Sequence, residues 1–481
     1  MDAPRIDAPA ALHVREIPYR DPLAAFAPFA GRPHAVLLDS ALVVEGLGRH
    51  AFIAVDPFRT IASRDRTVRV DGVARPDSPF DVLRQEIARY PVVGNPDLPP
   101  FQTGLAGYFG YDLGRHLERI PLAATDDMGF PDLAAGLYDV VAAFDLVDRR
   151  AWVFSSGHPE TDPDARHARA VRRADDMADR LAAAPDLSGA SDAGPAGATV
   201  ESNFTRPDYE AAVQQVIDYI FAGDIFQANL SQRFRATLAD GDTPFALYRR
   251  LRAGNAAPFA AYLNWDDVVI ASSSPERFLR LRDGAVETRP IKGTRPRGAD
   301  PAQDDALMQA LLASEKDRAE NVMIVDLLRN DLSRTCRDDS VEVPELCVAE
   351  TYATVFHLVS TVTGRLRDDA GAVDLLAACF PGGSITGAPK IRAMEIIAEL
   401  EPSRRGPYCG SIGYIGFDGT MDTNIAIRTY AIKGDTVVFQ AGGGIVADSD
   451  PADEYDETLA KARALMAALA RDVRFDDSGH R

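Results

Sequence analysis

The chain has 481 residues, of which 46% are hydrophobic and 26% charged, a composition typical of a globular protein with two or three domains or one large domain. Its formal net charge of −20 argues against a nucleic-acid-binding protein, because no basic block offsets the carboxylates. The four cysteines form no CxxC pair, which argues against a zinc site or a disulfide scaffold, and no apolar run has the length of a membrane span. We therefore expect a cytoplasmic protein in which an anionic ligand needs a local cluster of Arg and Lys.

The N-terminal part, residues 1–182, is predicted to be rich in β-strands. A charged helix is predicted over 166–184. The stretch 183–203 is rich in Ala, Gly, Ser, Asp and Pro and is predicted to be a loop or linker, because it lacks the apolar residues of a packed element. Five segments have the short apolar runs or the glycine-rich pattern of packed strands: 34–40, 52–57, 104–110, 138–147 and 151–154.

The C-terminal part, residues 204–472, mixes helices with strands. Helices are predicted at 206–222, 304–313, 316–328 and 453–470. Strands are predicted at 226–237, 267–271, 278–282 and 285–291, followed by a three-strand meander over 413–442. Because these strands do not alternate regularly with helices, the predicted fold class is α+β with antiparallel sheets.

Lys292 lies in the segment Pro290-Ile291-Lys292-Gly293-Thr294, on a polar loop predicted to leave a strand. A lysine held between a rigid proline and a flexible glycine can be aimed and partly desolvated, and an uncharged amine is a nucleophile. A solvated surface lysine is the alternative interpretation of this pair.

Two predicted helices each carry a pair of carboxylates at a spacing of three residues. Asp317 and Glu320 share a face of one helix, and Glu454 and Glu457 share a face of the last helix. A hard cation such as Mg²⁺ takes oxygen ligands of this kind. Solvated acidic faces, or acids that complement a helix dipole, are the interpretation that each pair favours when taken alone.

Two glycine-rich segments have the character of anion sites. Gly442–Gly444 follows a predicted strand and is interpreted as a turn with open backbone N–H groups. Gly382–Lys390 leads into a helix whose N-terminus favours anions, and Ser384 or Thr386 is predicted to cap that helix. A simple turn and a simple helix cap remain alternative interpretations.

Three further polar side chains are candidates for a site. Arg428 is predicted on a strand over 423–429, and its planar fork suits a structural acid or a substrate carboxylate. Glu276 lies at a turn between strands, either as a general acid or base or as an exposed turn acid. His357 lies in an apolar run, where a histidine is more often a satisfied core residue than a catalyst.

Three strings, 223–234, 319–332 and 382–394, resemble those of the chorismate-utilising enzymes. This family includes component I of anthranilate synthase and of 4-amino-4-deoxychorismate synthase. The resemblance implies one fold with two antiparallel sheets packed as a sandwich and helices outside. Under this interpretation the parts 1–182 and 204–472 are intertwined, and 183–203 is a loop within that fold.

Within the family, the residue at position 292 separates two reactions. Anthranilate synthases resemble Pro-Ile-Ala-Gly-Thr here, whereas aminodeoxychorismate synthases resemble the Pro-Ile-Lys-Gly-Thr of this chain. The resemblance implies that Lys292 attacks C2 of chorismate and that ammonia then gives 4-amino-4-deoxychorismate, a precursor of 4-aminobenzoate and folate. Anthranilate synthase component I is the alternative within the family, and a non-catalytic paralogue that binds tryptophan or chorismate is an alternative of another class.

The resemblance also assigns roles to individual residues. Lys292, Glu276 and His357 are expected to be catalytic. Mg²⁺ is expected at Glu320 and Glu457, with Glu454 and Asp317 nearby or acting through water. Substrate contacts are expected from Gln227, Gly293, Thr294, Ser384, Lys390, Tyr414, Arg428, Gly442, Gly443 and Gly444.

A second pocket and a partner protein are implied as well. Relatives carry a tryptophan pocket, inhibitory or structural, and its walls resemble Leu38, Asp39, Ser40, Pro258 and Phe259. No glutaminase segment with a nucleophilic cysteine is visible in the sequence. Ammonia is therefore expected from a separate glutaminase subunit in a heterodimer, or from solution.

Overall fold

The computed structural model describes residues 10–44, 46–123, 125–185, 187, 194–352, 355–476 and 478. Its α-helices are α1 (Pro22–Phe26), α2 (Pro79–Ala88), α3 (Pro163–Ala182), α4 (Arg206–Phe221), α5 (Pro244–Gly254), α6 (Pro301–Ala313), α7 (Glu315–Ser333), α8 (Ala372–Cys379), α9 (Lys390–Leu400) and α10 (Pro451–Leu469). Short 3₁₀ helices lie at Ala27–Phe29, Tyr111–His116 and Gly383–Ile385.

The strands in chain order are β1 (Ala10–Ala11), β2 (His13–Ile17), β3 (Ala35–Asp39), β4 (His50–Ala54), β5 (Arg59–Arg64), β6 (Thr67–Val70), β7 (Val73–Arg75), β8 (Val92–Val93), β9 (Gly104–Phe109), β10 (Leu133–Tyr138), β11 (Val140–Asp145), β12 (Arg150–Ser155), β13 (Gly197–Ser202), β14 (Gln227–Thr237), β15 (Phe259–Trp265), β16 (Val268–Ser274), β17 (Arg277–Arg282), β18 (Ala285–Arg289), β19 (Ile291–Pro296), β20 (Glu342–Thr351), β21 (Val355–Arg365), β22 (Gly387–Ala388), β23 (Ser411–Gly416), β24 (Met421–Asn424), β25 (Thr429–Lys433), β26 (Thr436–Ile445) and β27 (Asp472–Asp476).

Two large, mostly antiparallel sheets organise these strands. The first sheet has the order β19-β21-β18-β17-β24-β23-β9-β10-β5-β6-β7, with β20 also paired to β21. The second has the order β2-β12-β11-β4-β3-β15-β16-β25-β26-β14-β13-β27, with β22 also paired to β14. Both sheets contain strands from before and after residue 200, joined where β9 pairs with β23 and where β3 pairs with β15.

The hydrophobic core lies in three layers that follow from this arrangement. Residues such as Phe52, Tyr138 and Leu263 fill the space between the sheets. The outer face of the first sheet packs on α2, α7 and α8, and the outer face of the second packs on α3, α5 and α10. The predicted α+β sandwich with helices outside is therefore confirmed.

Most of the predicted helices and the hairpin of β17 and β18 are confirmed, but the predicted meander over 413–442 is wrong. Its first two strands, β23 and β24, belong to the first sheet, whereas β25 and β26 belong to the second. The chain crosses between the sheets through residues 425–428. Alternating apolar residues identify a strand but do not say which of two facing sheets it joins, so the crossover was invisible in the sequence.

The predicted loop over 183–203 is also wrong in its last third. Residues Gly197–Ser202 form β13, which pairs with β14 and in parallel with β27. Small and polar residues are tolerated there because β13 lies near the end of the sheet, with one β-neighbour from the C-terminus. Residues 186 and 188–193 of this stretch lie outside the described part. Among the described helices, none is long and apolar enough to cross a membrane.

Candidate active site

Lys292 lies on β19 and not on the loop predicted from the sequence. β19 pairs with β21, and the register shifts between Lys292 and Thr294, which is a bulge that re-aims the intervening side chains. The bulge requires Gly293, because its φ is 72° and a β-carbon there would lie 2.9 Å from atoms of Leu311 and Asp317. The Lys292 ammonium donates to the Ser384 carbonyl over 3.2 Å.

Glu276 lies beside this lysine on the turn between β16 and β17. Its side chain is buried, with 4% of the residue exposed. Burial raises the pKa of Glu276 to about 7, against the opposing effects of the Ser384 hydroxyl, Lys292 and the Ile291 N–H. A carboxyl group that exchanges its proton near neutral pH beside a lysine is suited to acid–base catalysis.

His357 lies on β21, opposite Thr294 in the register of the two strands. The Thr294 Oγ1 is 2.9 Å from the His357 Nδ1. Burial lowers the pKa of His357 to about 4, Arg428 lowers it further, and a hydrogen bond with the Gly293 backbone opposes both. The imidazole is therefore neutral at pH 7, and it holds the bulge that carries Lys292.

Arg428 is not on a strand, as the sequence predicted, but at the end of the crossover between the two sheets. It adopts a left-handed backbone conformation with φ 53°, which costs energy for a non-glycine residue and is common at ligand sites. Burial lowers the pKa of its guanidinium, and Tyr408 opposes this. Among the described residues, no carboxylate forms an ion pair with Arg428, although the chain carries an excess of acids.

Tyr414, expected to contact the substrate, lies elsewhere. It stacks on Phe101 with ring centroids 4.5 Å apart and lines the cavity near Ser40. The tyrosine that interacts with Arg428 is Tyr408, which the sequence reasoning missed. Both tyrosines stand near glycines in the same segment. The position of Tyr408 in the turn before β23, beside the crossover, favours it over Tyr414 as the neighbour of Arg428. Tyr414 lies inside the strand itself.

Gly442–Gly444 is not a turn, because β26 continues through all three glycines and pairs with β14. A β-carbon on Gly443 would lie 2.7 Å from the Glu454 Oε2 and 3.6 Å from the Glu457 Oε1. One on Gly444 would lie 2.0 Å from the Gln227 Nε2 and 3.5 Å from the Lys292 Nζ. The glycines therefore form a stretch of strand without side chains, and the polar groups of the site lie directly against its backbone.

We expect Gly444→Ala to impair catalysis while leaving the fold stable. The new methyl group would lie 2.0 Å from the Nε2 at the flexible end of Gln227, which must move, and 3.5 Å from the Lys292 Nζ. Gly442→Ala is the matched control, because its methyl would meet the Leu230 carbonyl oxygen at 2.4 Å and should lower stability by roughly 1–3 kcal/mol. Thermal unfolding and turnover of both variants test this. Equal loss of stability in the two would contradict it.

Gln227 contributes a buried amide to the same space. The residue is 1% exposed, and its Oε1 has no hydrogen-bond partner among the described residues. An orphaned buried carbonyl oxygen is costly, which is consistent with a polar ligand at this position. Its Nε2 lies against Gly444, so the amide is next to the Lys292 ammonium.

The carboxylates of α7 and α10 also converge. Burial raises the pKa of Glu320, with Glu454 adding to the effect and Lys292 and Lys316 opposing it. Burial likewise raises the pKa of Glu454, against a hydrogen bond from the Ser449 hydroxyl. Burial acts against ionisation of Glu457, but Lys461 holds its pKa below the usual range.

The donor set of these carboxylates fits a hard divalent cation. Glu320, Glu454 and Glu457 supply only oxygen atoms, and like-charged carboxylates gain from a shared cation. Within the described ranges, no three His, Cys, Asp or Glu side chains are grouped closely enough to hold a metal ion by themselves. Mg²⁺ does not need such a group, since it commonly uses one or two carboxylates, waters and a substrate oxygen. Asp317 is engaged elsewhere, in an ion pair with Arg295 over 2.8 Å.

Lys390 is not brought into this group. Its ammonium forms an ion pair with Asp331 over 2.6 Å and donates to the Cys379 carbonyl. Asp331 stands eleven residues after Glu320 on α7, which is about 16 Å along the helix.

The predicted cap of α9 is also wrong. Pro389 is the residue at the N-terminal cap position of α9, and no side chain forms a capping hydrogen bond there. The Ser384 hydroxyl bonds Glu276 instead, and Thr386 donates to the Gly382 carbonyl.

A separate cavity of about 570 Å³ lies between the sheets. Its lining includes all five residues expected to form the tryptophan pocket: Leu38, Asp39, Ser40, Pro258 and Phe259. The Asp39 carboxylate is fully buried and is already bound by Arg252 and the Tyr248 hydroxyl. It therefore does not offer a free partner for the ammonium group of an amino acid.

Comparisons with known proteins agree with this geometry. A sequence profile of the chorismate binding enzymes matches residues 41–467. Aminodeoxychorismate synthase component 1 of Salmonella typhimurium is 44% identical over 94% of this chain and 97% of the relative. Anthranilate synthase component 1 of Thermus thermophilus is 42% identical over 93% of this chain and 95% of the relative. The crystal structure of anthranilate synthase component I from Streptococcus pneumoniae superposes with a TM-score of 0.78 at 32% identity, covering 88% of this chain and 94% of that one.

Proposed function

Because the chain belongs to the family of chorismate binding enzymes, we propose that it is component I of a 4-amino-4-deoxychorismate synthase. In this role it converts chorismate and ammonia into 4-amino-4-deoxychorismate and water, on the route to 4-aminobenzoate and folate. Relatives named for this activity and relatives named anthranilate synthase have similar identities to the chain. Overall similarity therefore does not choose between them, and the choice rests on the site.

The position of Lys292 carries the proposal. Its ammonium donates to the Ser384 carbonyl, while the Ser384 hydroxyl bonds Glu276. The lysine thus stands beside a carboxyl group whose pKa is about 7 and which can accept its proton, leaving a neutral amine. An enzyme that adds ammonia directly to the ring has no need of a second amine at this place.

The reaction proceeds in two substitutions that balance in atoms and charge. Lys292 gives a proton to Glu276, and its amine attacks C2 of chorismate. Both ring double bonds shift, from C1=C2 and C5=C6 to C1=C6 and C4=C5, and the C4 hydroxyl takes the proton from Glu276 and leaves as water. Ammonia then attacks C4, both double bonds shift back, and the bond between C2 and the lysine nitrogen breaks with its electron pair on the nitrogen. The product leaves as its ammonium form and Lys292 as a neutral amine.

The substrate is a dianion and needs positive charge in an acidic protein. Arg428, which has no carboxylate partner among the described residues, is the proposed ligand of one carboxylate, with Tyr408 beside it. Glu320, Glu454 and Glu457 would hold Mg²⁺, which would withdraw electrons from the ring through the other carboxylate. Gln227 stands next to Lys292 and is proposed to orient the incoming ammonia.

The ammonia is proposed to come from a glutaminase subunit in a heterodimer. The relatives are named component 1, and such a name implies a second component.

The separate cavity at Ser40 is proposed to bind tryptophan, which its aromatic wall of Phe52, Phe259 and Tyr414 would suit. Mass analysis of ligand released from the native protein tests that assignment.

Product identification tests the proposed function. The chain, chorismate, Mg²⁺ and an ammonium salt should give 4-amino-4-deoxychorismate, which retains the enolpyruvyl group, and a glutaminase partner with glutamine should replace the ammonium salt. Anthranilate and pyruvate as products would identify the second candidate, anthranilate synthase, which the named relatives support equally. No consumption of chorismate under either condition would reject both enzymes.

We expect Glu276→Gln to lose activity and to become relatively more stable as the pH rises. The wild-type carboxyl, with a folded pKa of about 7 against an ordinary value of 4.5, favours the folded state below pH 4.5, and this contribution is lost as the pH rises through 7. Glutamine lacks this loss, so between pH 5 and pH 8 the variant should gain roughly 2–3 kcal/mol relative to the wild type.

Wild-type turnover should rise over the pH range in which the stabilising contribution of Glu276 is lost. Wild-type activity should rise through pH 7 as Glu276 ionises, and the variant should lose roughly 10²–10⁴-fold in kcat. Urea unfolding and kcat of both proteins at the two pH values provide the measurements. A pH-independent stability difference between them would show that Glu276 titrates normally.

A further inference from the structure

The carboxylates of the proposed metal site are already surrounded by lysines. The Lys461 ammonium lies 2.5 Å from the Glu457 Oε1, and the Lys316 ammonium lies 3.5 Å from the Glu454 Oε1. Lys292 acts electrostatically on both Glu320 and Glu457. Each carboxylate of the cluster thus has at least one ammonium group as a neighbour.

The charges of this cluster cancel before any cation enters. Glu320, Glu454 and Glu457 bring three negative charges when ionised, and the three lysines bring three positive charges. The fourth acid of the two helices, Asp317, is neutralised separately by Arg295. Asp448, outside these two helices, also acts on Lys316, so a divalent cation entering the cluster would leave one or two positive charges in excess, and an anionic ligand bound with it would offset them.

The positions of two of the lysines are not explained by the chemistry of the proposed reaction. Lys316 precedes Glu320 on α7 and reaches across to Glu454, whereas Lys461 follows Glu457 on α10; 44% and 36% of their side chains are exposed. Lys461 also donates to the Gly442 carbonyl over 2.8 Å, which holds its ammonium over the glycine strand and next to Glu457. A lysine fixed at that point repels a cation at the carboxylates.

We propose that Lys316 and Lys461 are internal counter-ions of the metal site, which keep its affinity for a free divalent cation low. Their charge makes tight binding of the cation depend on the charge of an anionic ligand. The inference rests on the proposed function for the identity of the metal-binding carboxylates, but it concerns the two lysines, to which the proposed reaction gives no role.

Binding of Mn²⁺ alone, measured by calorimetry and by electron paramagnetic resonance, tests this inference without substrate. Lys461→Met and Lys316→Met should each tighten Mn²⁺ binding by roughly tenfold, because one repelling charge a few ångströms from the cation is removed. Lys461→Arg keeps the charge and should bind as the wild type does. Mn²⁺ should also raise the thermal unfolding temperature of Lys461→Met more than that of the wild type.

Lys433→Met is the matched control. Lys433 also contacts one carboxylate, Asp267 over 3.1 Å, and one carbonyl, Met128 over 3.2 Å, and its side chain is 34% exposed. Its loss should leave Mn²⁺ affinity unchanged. Unchanged or weaker Mn²⁺ binding in both Lys461→Met and Lys316→Met would overturn the inference, as would an absence of binding in every protein. Chorismate conversion measured in parallel tells that failure apart from failure of the proposed enzyme activity.

Discussion

Lys292→Ala should form no covalent adduct with chorismate and should lose at least about 10³-fold in kcat at low ammonia, since the enzyme would lack its positioned nucleophile. The wild type mixed with chorismate in the absence of ammonia should gain the mass of chorismate minus one water, because the C4 hydroxyl departs when the C2–N bond forms. Intact-protein mass spectrometry and single-turnover kinetics measure both effects. High ammonia should restore slow direct amination in the variant.

Lys292→Arg separates nucleophilic from electrostatic roles of this side chain. Arginine keeps the positive charge that acts on Glu320 and Glu457, but its guanidinium is not a nucleophile at neutral pH. It should therefore fail as completely as alanine in adduct formation. An adduct of the same mass in Lys292→Ala, or wild-type turnover in Lys292→Arg, would show that the lysine does not bond to the substrate.

Arg428→Met should lower kcat/KM by roughly 10²–10³-fold, mainly through KM, and should not destabilise the protein. The first effect follows from the loss of a buried charge-assisted contact to a carboxylate, worth about 2–5 kcal/mol. The second follows because Arg428 has no carboxylate partner within the described chain and burial lowers the pKa of its guanidinium. Removing an uncompensated, half-buried charge relieves part of its desolvation cost.

Arg277→Met is the contrasting variant for Arg428. Arg277 is more deeply buried than Arg428 and pairs with both Glu287 and Asp422. Because Arg280 also pairs with Glu287, removal of Arg277 leaves Asp422 without its ion-pair partner and should cost about 3–5 kcal/mol. Urea unfolding should thus move in opposite directions for the two variants. A destabilisation of Arg428→Met equal to that of Arg277→Met would mean that Arg428 supports the fold and not the substrate.

Much of the candidate site could be predicted, because many of its residues belong to short motifs that are local in the sequence. The spacing of Glu454 and Glu457 places both carboxylates on one face of α10, and both lie against Gly443. The hairpin of β17 and β18 turns at Asp283 and Gly284 as its sequence indicates. Helical spacing and turn chemistry act between residues that are neighbours along the chain, so they are visible without a fold.

Other features depend on residues that are far apart in the sequence. Lys292 is aimed by a bulge that exists only because β19 pairs with β21, about 65 residues later. Lys390 was expected beside the substrate, but the fold brings Asp331 to its ammonium. A lysine pairs with whichever carboxylate the packing of its helix presents, and the spacing of residues does not reveal this.

The sequence by itself determined the α+β class, the identity of the acidic and basic groups, and the lysine on which the proposed reaction rests. Only the tertiary structure decided that residues 425–428 cross between two sheets, which places Arg428 and Tyr408 together and leaves Tyr414 in the other cavity. The physical reason is that strand patterning records which face of a strand is buried, whereas the choice of sheet and the partner of a buried charge follow from contacts between distant segments.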